Sequence, residues 1–165
     1  MRQIHKGKWS AEIDGDFVVF LIGARISPRH PVAWFRDLGA RRGMPYMLDR
    51  LMKDPDSGLL GYTMGFSVIV QYWRSFEHLE AFAGDDSQAQ HPEASKNYWR
   101  RMSRNGHGAG IWHETYLVRA GEYETVYGNM PAFGLGKARG ATLTRATSTA
   151  RERLRRKASE PASPA

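Results

Sequence analysis

Cysteine is absent from all 165 residues. That excludes a disulfide framework, thiolate ligation of iron–sulfur clusters and thiol catalysis. Long apolar runs are missing too. The longest candidate, Phe17 to Ile26, has the length of a strand, well short of the roughly 18–20 residues that span a bilayer. The first ten residues are polar, and no apolar stretch follows them before Asp14 and Asp16, so no secretory leader is expected. A cytoplasmic protein without membrane contact is the resulting expectation. What the chain does hold is 41% hydrophobic residues, 12% of all residues being aromatic, enough for one real core.

The net charge of +7 suggests nucleic acid until it is located. Residues 137–165 carry eight basic side chains, from Lys137 to Lys157, against Glu152 and Glu160. That segment accounts for +6, so the remainder is almost neutral. Beyond Met130 the chain turns to Gly, Ala, Ser, Thr, Arg and Pro without sustained apolar periodicity, which reads as disorder. The expected organisation is an N-terminal arm over 1–15, a domain over 16–130 and a basic, disordered tail over 131–165. Thr149 to Ala158 could turn helical on a partner. Nucleic acid is expected only through the tail.

Within the domain, Asp16 to Ile26 is nearly continuous in apolar character, the mark of a strand buried on both faces. His30-Pro31 opens a helix reaching about Lys53, weakened at Gly39 and Gly43. Asp54-Pro-Asp-Ser-Gly58 is a turn. Leu59 to Ser67 and Val68 to Arg74 form a hairpin near Gly65. Ser75 caps a helix over Phe76 to Ala83, closed by Gly84. His91-Pro92 starts another, and Gly110 to Arg119 is a long strand, with a shorter one at Tyr123 to Tyr127. The order β-α-β-β-α-β is the ferredoxin-like split unit, an α+β fold. Helices cover one face of such a sheet. The second face of the first strand is also apolar, so a face-to-face homodimer is expected.

Standard catalytic motifs fail. His113-Glu114 lacks a second histidine at 117, and Gly134-Leu-Gly136-Lys137 lacks the spacing of a phosphate loop. No Gly-x-Ser-x-Gly elbow is present. His5, His30 and His78 read as solvated, and His107 as a loop residue. His91 is a poor helix cap, which favours a functional use. His113 interrupts an apolar strand and shares a face with Ile111, Thr115 and Leu117, opposite Trp112, Glu114 and Tyr116. If the His113 face lines the cavity against a partner, the ring points into an apolar pocket as a neutral base or ligand. Otherwise it is a hydrogen-bonded core histidine. Arg74 could hold an anionic group or pair with a surface Glu. Arg25 breaks an apolar strand or marks its end. Tyr62, Tyr72 and Trp112 are core residues or substrate contacts.

The run VIVQYWRSFEHLEAFA, Val68 to Ala83, resembles the strand-to-helix junction of dimeric α+β barrel proteins, among them the antibiotic-biosynthesis-type monooxygenases. Together with His91-Pro92 and Ile111-Trp112-His113-Glu114 it resembles the small monooxygenase family akin to the fumagillin-pathway monooxygenase. The resemblance implies a homodimer that oxidises a hydrophobic or polyketide-like small molecule, with His113 as base. Arg25, Tyr62, Tyr72, Arg74 and Trp112 are the candidate substrate contacts. The same pieces resemble the C-terminal part of the haem aldoxime dehydratases. Carried over, that likeness makes His91 the candidate axial ligand of haem b and His113 the distal proton handler. The second histidine of the dehydratases' His-Pro-x-His pattern is Ala94 here. Three functions therefore stand at this point: a cofactor-free oxygenase acting on a small apolar molecule, a haem enzyme, and a binding module without catalysis.

Overall fold

The computed structural model describes residues 3–26, 44–84, 109–146 and 149–159. The ferredoxin-like unit is present in chain order: β2 (Phe17–Ile26), α1 (Met44–Leu51), β3 (Leu59–Met64), β4 (Val68–Trp73), α2 (Phe76–Gly84) and β5 (Ala109–Val118). The four strands form one antiparallel sheet in the order β3-β4-β2-β5. Its chain order and strand order are those of the ferredoxin-like α+β fold. Gly65 closes the β3–β4 hairpin, its N–H donating to the Val68 carbonyl at 2.7 Å. β2 lies centrally and pairs with β5 along all ten residues, from Phe17 opposite Val118 to Ile26 opposite Ala109.

Period-two alternation sends the β2 side chains to two different cores. Val18 and Phe20 join Leu48 of α1, Leu79 of α2, Leu59 and Trp73 in the helix-side core. Trp73 is fully buried, with Phe82 of α2 tilted against it at 5.3 Å. Its indole N–H donates to the Gln71 side-chain oxygen at 3.0 Å, so a buried polar atom is satisfied inside this core.

Phe17 and Val19 point the other way, and the chain itself covers them. A second, three-stranded sheet is built from β1 (His5–Glu12), β6 (Tyr127–Met130) and β7 (Thr142–Arg145), with β1 in the middle. Leu135 and Ala138, from the short turn after β6 and the residue beyond it, close a core with Ala11 and Phe17. Residues 123–125 extend the β1 edge through side chains. The Tyr123 hydroxyl accepts from the Ile13 N–H at 2.7 Å and donates to its carbonyl at 3.1 Å, and the Thr125 hydroxyl accepts from the Ala11 N–H at 2.7 Å. Arg139 fastens the same segment to the first sheet. Its N–H donates to the Leu60 carbonyl at 2.6 Å, and its guanidinium reaches the carbonyls of Met52 and Asp54.

Two expectations are corrected here. His5–Glu12 is the central strand of the second sheet, so the expected N-terminal arm over 1–15 carries part of the fold. Residues 131–146 are folded, and the domain does not end at 130. Beyond them α3 (Ala150–Ser159) starts from a capping box: the Thr149 hydroxyl accepts from the Glu152 N–H, and the Glu152 carboxylate accepts from the Thr149 N–H. Arg153 is 8% exposed and forms an ion pair with Glu124. The four strands of the first sheet needed no such correction. The expected strand at Tyr123 to Tyr127 lies a few residues later, as β6. The helix expected at His91-Pro92 lies outside the described residues.

Candidate functional site

The second sheet covers only one end of the open face of the first. Along β2 that face runs Phe17, Val19, Leu21, Gly23, Arg25, and along β5 it runs Val118, Tyr116, Glu114, Trp112, Gly110 in register. Phe17 and Val118 lie under the second sheet. At the other end Trp112 is 42% and Tyr116 51% exposed, beside half-buried Leu21, Val70 and Val68. Among the described residues nothing covers this half-face, which is apolar with a few polar groups and open to a small molecule.

Trp112 is seated there by Gly23. A Cβ added at Gly23 would lie 2.5 Å from the indole nitrogen and 2.6 Å from the Ser67 carbonyl oxygen, so the indole lies against bare backbone. Two residues along, the Tyr116 hydroxyl donates to Oε2 of Glu114 at 2.6 Å. That acceptor raises the Tyr116 phenol above its ordinary pKa. Glu114 stands opposite Leu21 and Tyr116 opposite Val19.

The candidate residues divide between the two faces. Arg25 is exposed at the far end of β2 opposite Gly110, on the Trp112 face. Tyr72 shares that face but lies under the second sheet, in the core with Leu135. Burial raises its phenol pKa, and the neighbouring Tyr127 adds to the rise while the Leu135 backbone opposes it. Arg74 donates to the Pro55 carbonyl at 2.9 Å and its N–H to Gly58 at 2.8 Å, binding the turn before β3. Tyr62 is on the helix side and donates to Asp49 of α1 at 2.6 Å. Its phenol is pushed up to about 12 by burial and by Asp49.

His113 also faces the helix side. Its register partner is Ile22, and its ring lies 5.5 Å from that of Phe20. It is exposed and is not on the face carrying Trp112. His91, His30 and His107 lie outside the described residues. His78 corrects its expectation: it is half-buried on Gly58, with Nδ1 2.8 Å from the Ser75 hydroxyl. His5 packs edge-on against Trp9 at 5.1 Å. Gly134 to Lys137 is no phosphate loop, since the Gly136 N–H donates to the Tyr127 hydroxyl at 2.9 Å. Among the described residues no three His, Asp or Glu side chains gather as a metal site, and no helix there is long and apolar enough to cross a membrane.

Sequence reasoning passed over Glu114 and Tyr116. The signal was their alternation with Trp112, which puts all three on one face.

The family described as "Monooxygenase af470-like" matches residues 17–135. No curated protein matches the chain. Among solved structures, an aldoxime dehydratase in complex with butyraldoxime is similar at 17% identity and a TM-score of 0.46. The likeness covers 90% of this chain and 43% of that one.

Proposed function

The chain belongs to the af470-like monooxygenase family, and from that membership we propose a monooxygenase-type enzyme that oxidises a flat, hydrophobic small molecule on the uncovered half-face. The observation that carries this reading is the exposed indole of Trp112 beside Leu21, with the Glu114–Tyr116 pair two residues away. An aromatic platform holds an apolar ring system, and the polar pair orients it. Tyr116 and Trp112 leave apolar surface bare, and the reading includes a second copy of the chain closing this half-face as a homodimer. Closure would exclude water from the bound molecule.

The chemistry in this reading needs no bound cofactor. An enolisable substrate loses a proton, and its carbanion reacts with O2. One oxygen atom becomes a new carbonyl. The other leaves as water together with the two hydrogens of the oxidised carbon.

Anthrone, flat and enolisable, is a suitable probe. Purified full-length protein is expected to consume one O2 for each anthraquinone formed, above the rate in buffer. Uptake no faster than buffer overturns the reading. A Soret band in the purified protein, lost in His91→Ala, would replace it with haem chemistry. Sedimentation at a dimer's mass, reduced to a monomer's by Leu21→Asp, tests the closure.

A further inference from the structure

We infer that the Glu114 carboxylate is the base that takes the proton from the substrate, with Tyr116 positioning it and Trp112 forming the platform. This rests on the oxygenase reading above.

A base must reach the molecule it deprotonates, within about 3 Å or through one water. A molecule stacked on the free side of Trp112 lies on the face of Glu114 and Tyr116, two and four residues along the same strand. His113 lies on the opposite face, against Phe20, so a four-stranded sheet separates it from that molecule.

The carboxylate is also prepared for the role. Tyr116 donates to Oε2 at 2.6 Å, which fixes the carboxylate and leaves Oε1 to accept a proton. The residue facing Glu114 across the ladder is Leu21. Among the described residues no cation pairs with it, so the negative charge serves no ion pair there. Asp16, at the covered end of the sheet, accepts the Ala120 N–H at 2.8 Å, and Asp49, on the helix side, accepts the Tyr62 hydroxyl. In the step itself the substrate C–H bond breaks, its electron pair stays on the enolate, and the proton moves to Oε1 of Glu114. The proton then leaves with the departing water, which returns the carboxylate. The substrate class that fits is an enolisable, planar, apolar ketone with a methylene carbon. Its acidic C–H lies about one indole's length from the ring that stacks.

The test is steady-state oxidation of anthrone by the full chain and its variants. Glu114→Gln is expected to lower kcat by roughly 100-fold or more, the usual scale of general-base catalysis. Glu114→Asp is expected to recover part of that loss. Tyr116→Phe should lower kcat roughly tenfold with KM unchanged, as for a hydrogen bond to a charged group. Trp112→Ala should raise KM more than it lowers kcat. Both members of the polar pair are exposed, so circular dichroism of these variants should match that of the unaltered chain. Wild-type activity that survives Glu114→Gln overturns this inference and leaves the oxygenase reading standing. Loss in His113→Ala with retention in Glu114→Gln returns the base to His113 and also overturns it. A wild-type chain that oxidises nothing overturns the reading and the inference together.

Discussion

The indole of Trp112 rests on the backbone of Gly23, so closely that a methyl group at position 23 would lie 2.5 Å from the indole nitrogen. The glycine interrupts the most apolar strand of the chain, and this contact accounts for it. Gly23→Ala should expel the indole from its seat. The expected result is a red-shifted tryptophan emission, a loss of about 1–3 kcal/mol in chemical unfolding, as for overpacking elsewhere, and a raised KM for a stacked substrate. Unchanged emission would show that the indole does not depend on the glycine.

Tyr62 and Asp49 give a pH-dependent contribution to stability. The Tyr62 phenol is pushed up to about 12 from 10. A group whose pKa is higher in the folded state stabilises the fold below its unfolded pKa and loses that effect as pH rises through the folded value. The stabilisation should therefore be complete below pH 10 and vanish between 10 and about 12. Tyr62→Phe should flatten that part of the stability–pH curve, read from urea midpoints. A parallel decline in the variant would place the effect elsewhere.

The first sheet was legible because its signals are local. The nearly unbroken apolar run of β2 reflects two cores, Val18 and Phe20 under the helices, Phe17 and Val19 under the second sheet. The Asp54–Gly58 turn, the Gly65 hairpin and the Ser75 cap each sit within a few residues of what they control. The second sheet has no such signature. β1 alternates lysines with small residues, β7 has four residues, and their partners lie more than 100 positions apart. The Gly, Ala, Ser and Thr composition beyond Met130 also hid Leu135 and Ala138, two short apolar anchors that pack with Ala11 and Phe17. At the candidate site, Trp112 stood out as an aromatic residue in a strand. The strand alternation gave the right partition of β5 into two faces. It could not say which face the chain would cover, since that depends on β1 and residues 134–145.

Removal of residues 131–165 should expose Phe17, Val19 and Tyr72 and leave β1 with one flank unpaired. Dye binding to exposed apolar surface should rise, and thermal unfolding should lose its sharp transition. A chain ending at 146 keeps β7 and should retain low dye binding and a sharp transition. Equal behaviour of the two truncations would mean that β7 and the turn before it contribute nothing.

Arg153 and Glu124 tie α3 to the segment after β5. Arg153→Ala leaves a carboxylate, itself largely covered, without its cation. A loss of about 2 kcal/mol is expected, below the 3–5 kcal/mol of a fully buried pair. Amide exchange should accelerate across 150–159 first. Uniform acceleration through the first sheet would show that α3 is not a separate stability unit.

The middle position of β1 in its sheet has a consequence for the time course of folding. Both of its neighbours are made more than 110 residues after it, Tyr127–Met130 on one side and Thr142–Arg145 on the other. During synthesis β1 thus leaves the ribosome long before the strands that complete its hydrogen bonds. Loop closure of that length is slow relative to the hairpin and helices of the first sheet. The ferredoxin-like unit would form as an early nucleus. β1, β6 and β7 would then lock around it as a clasp.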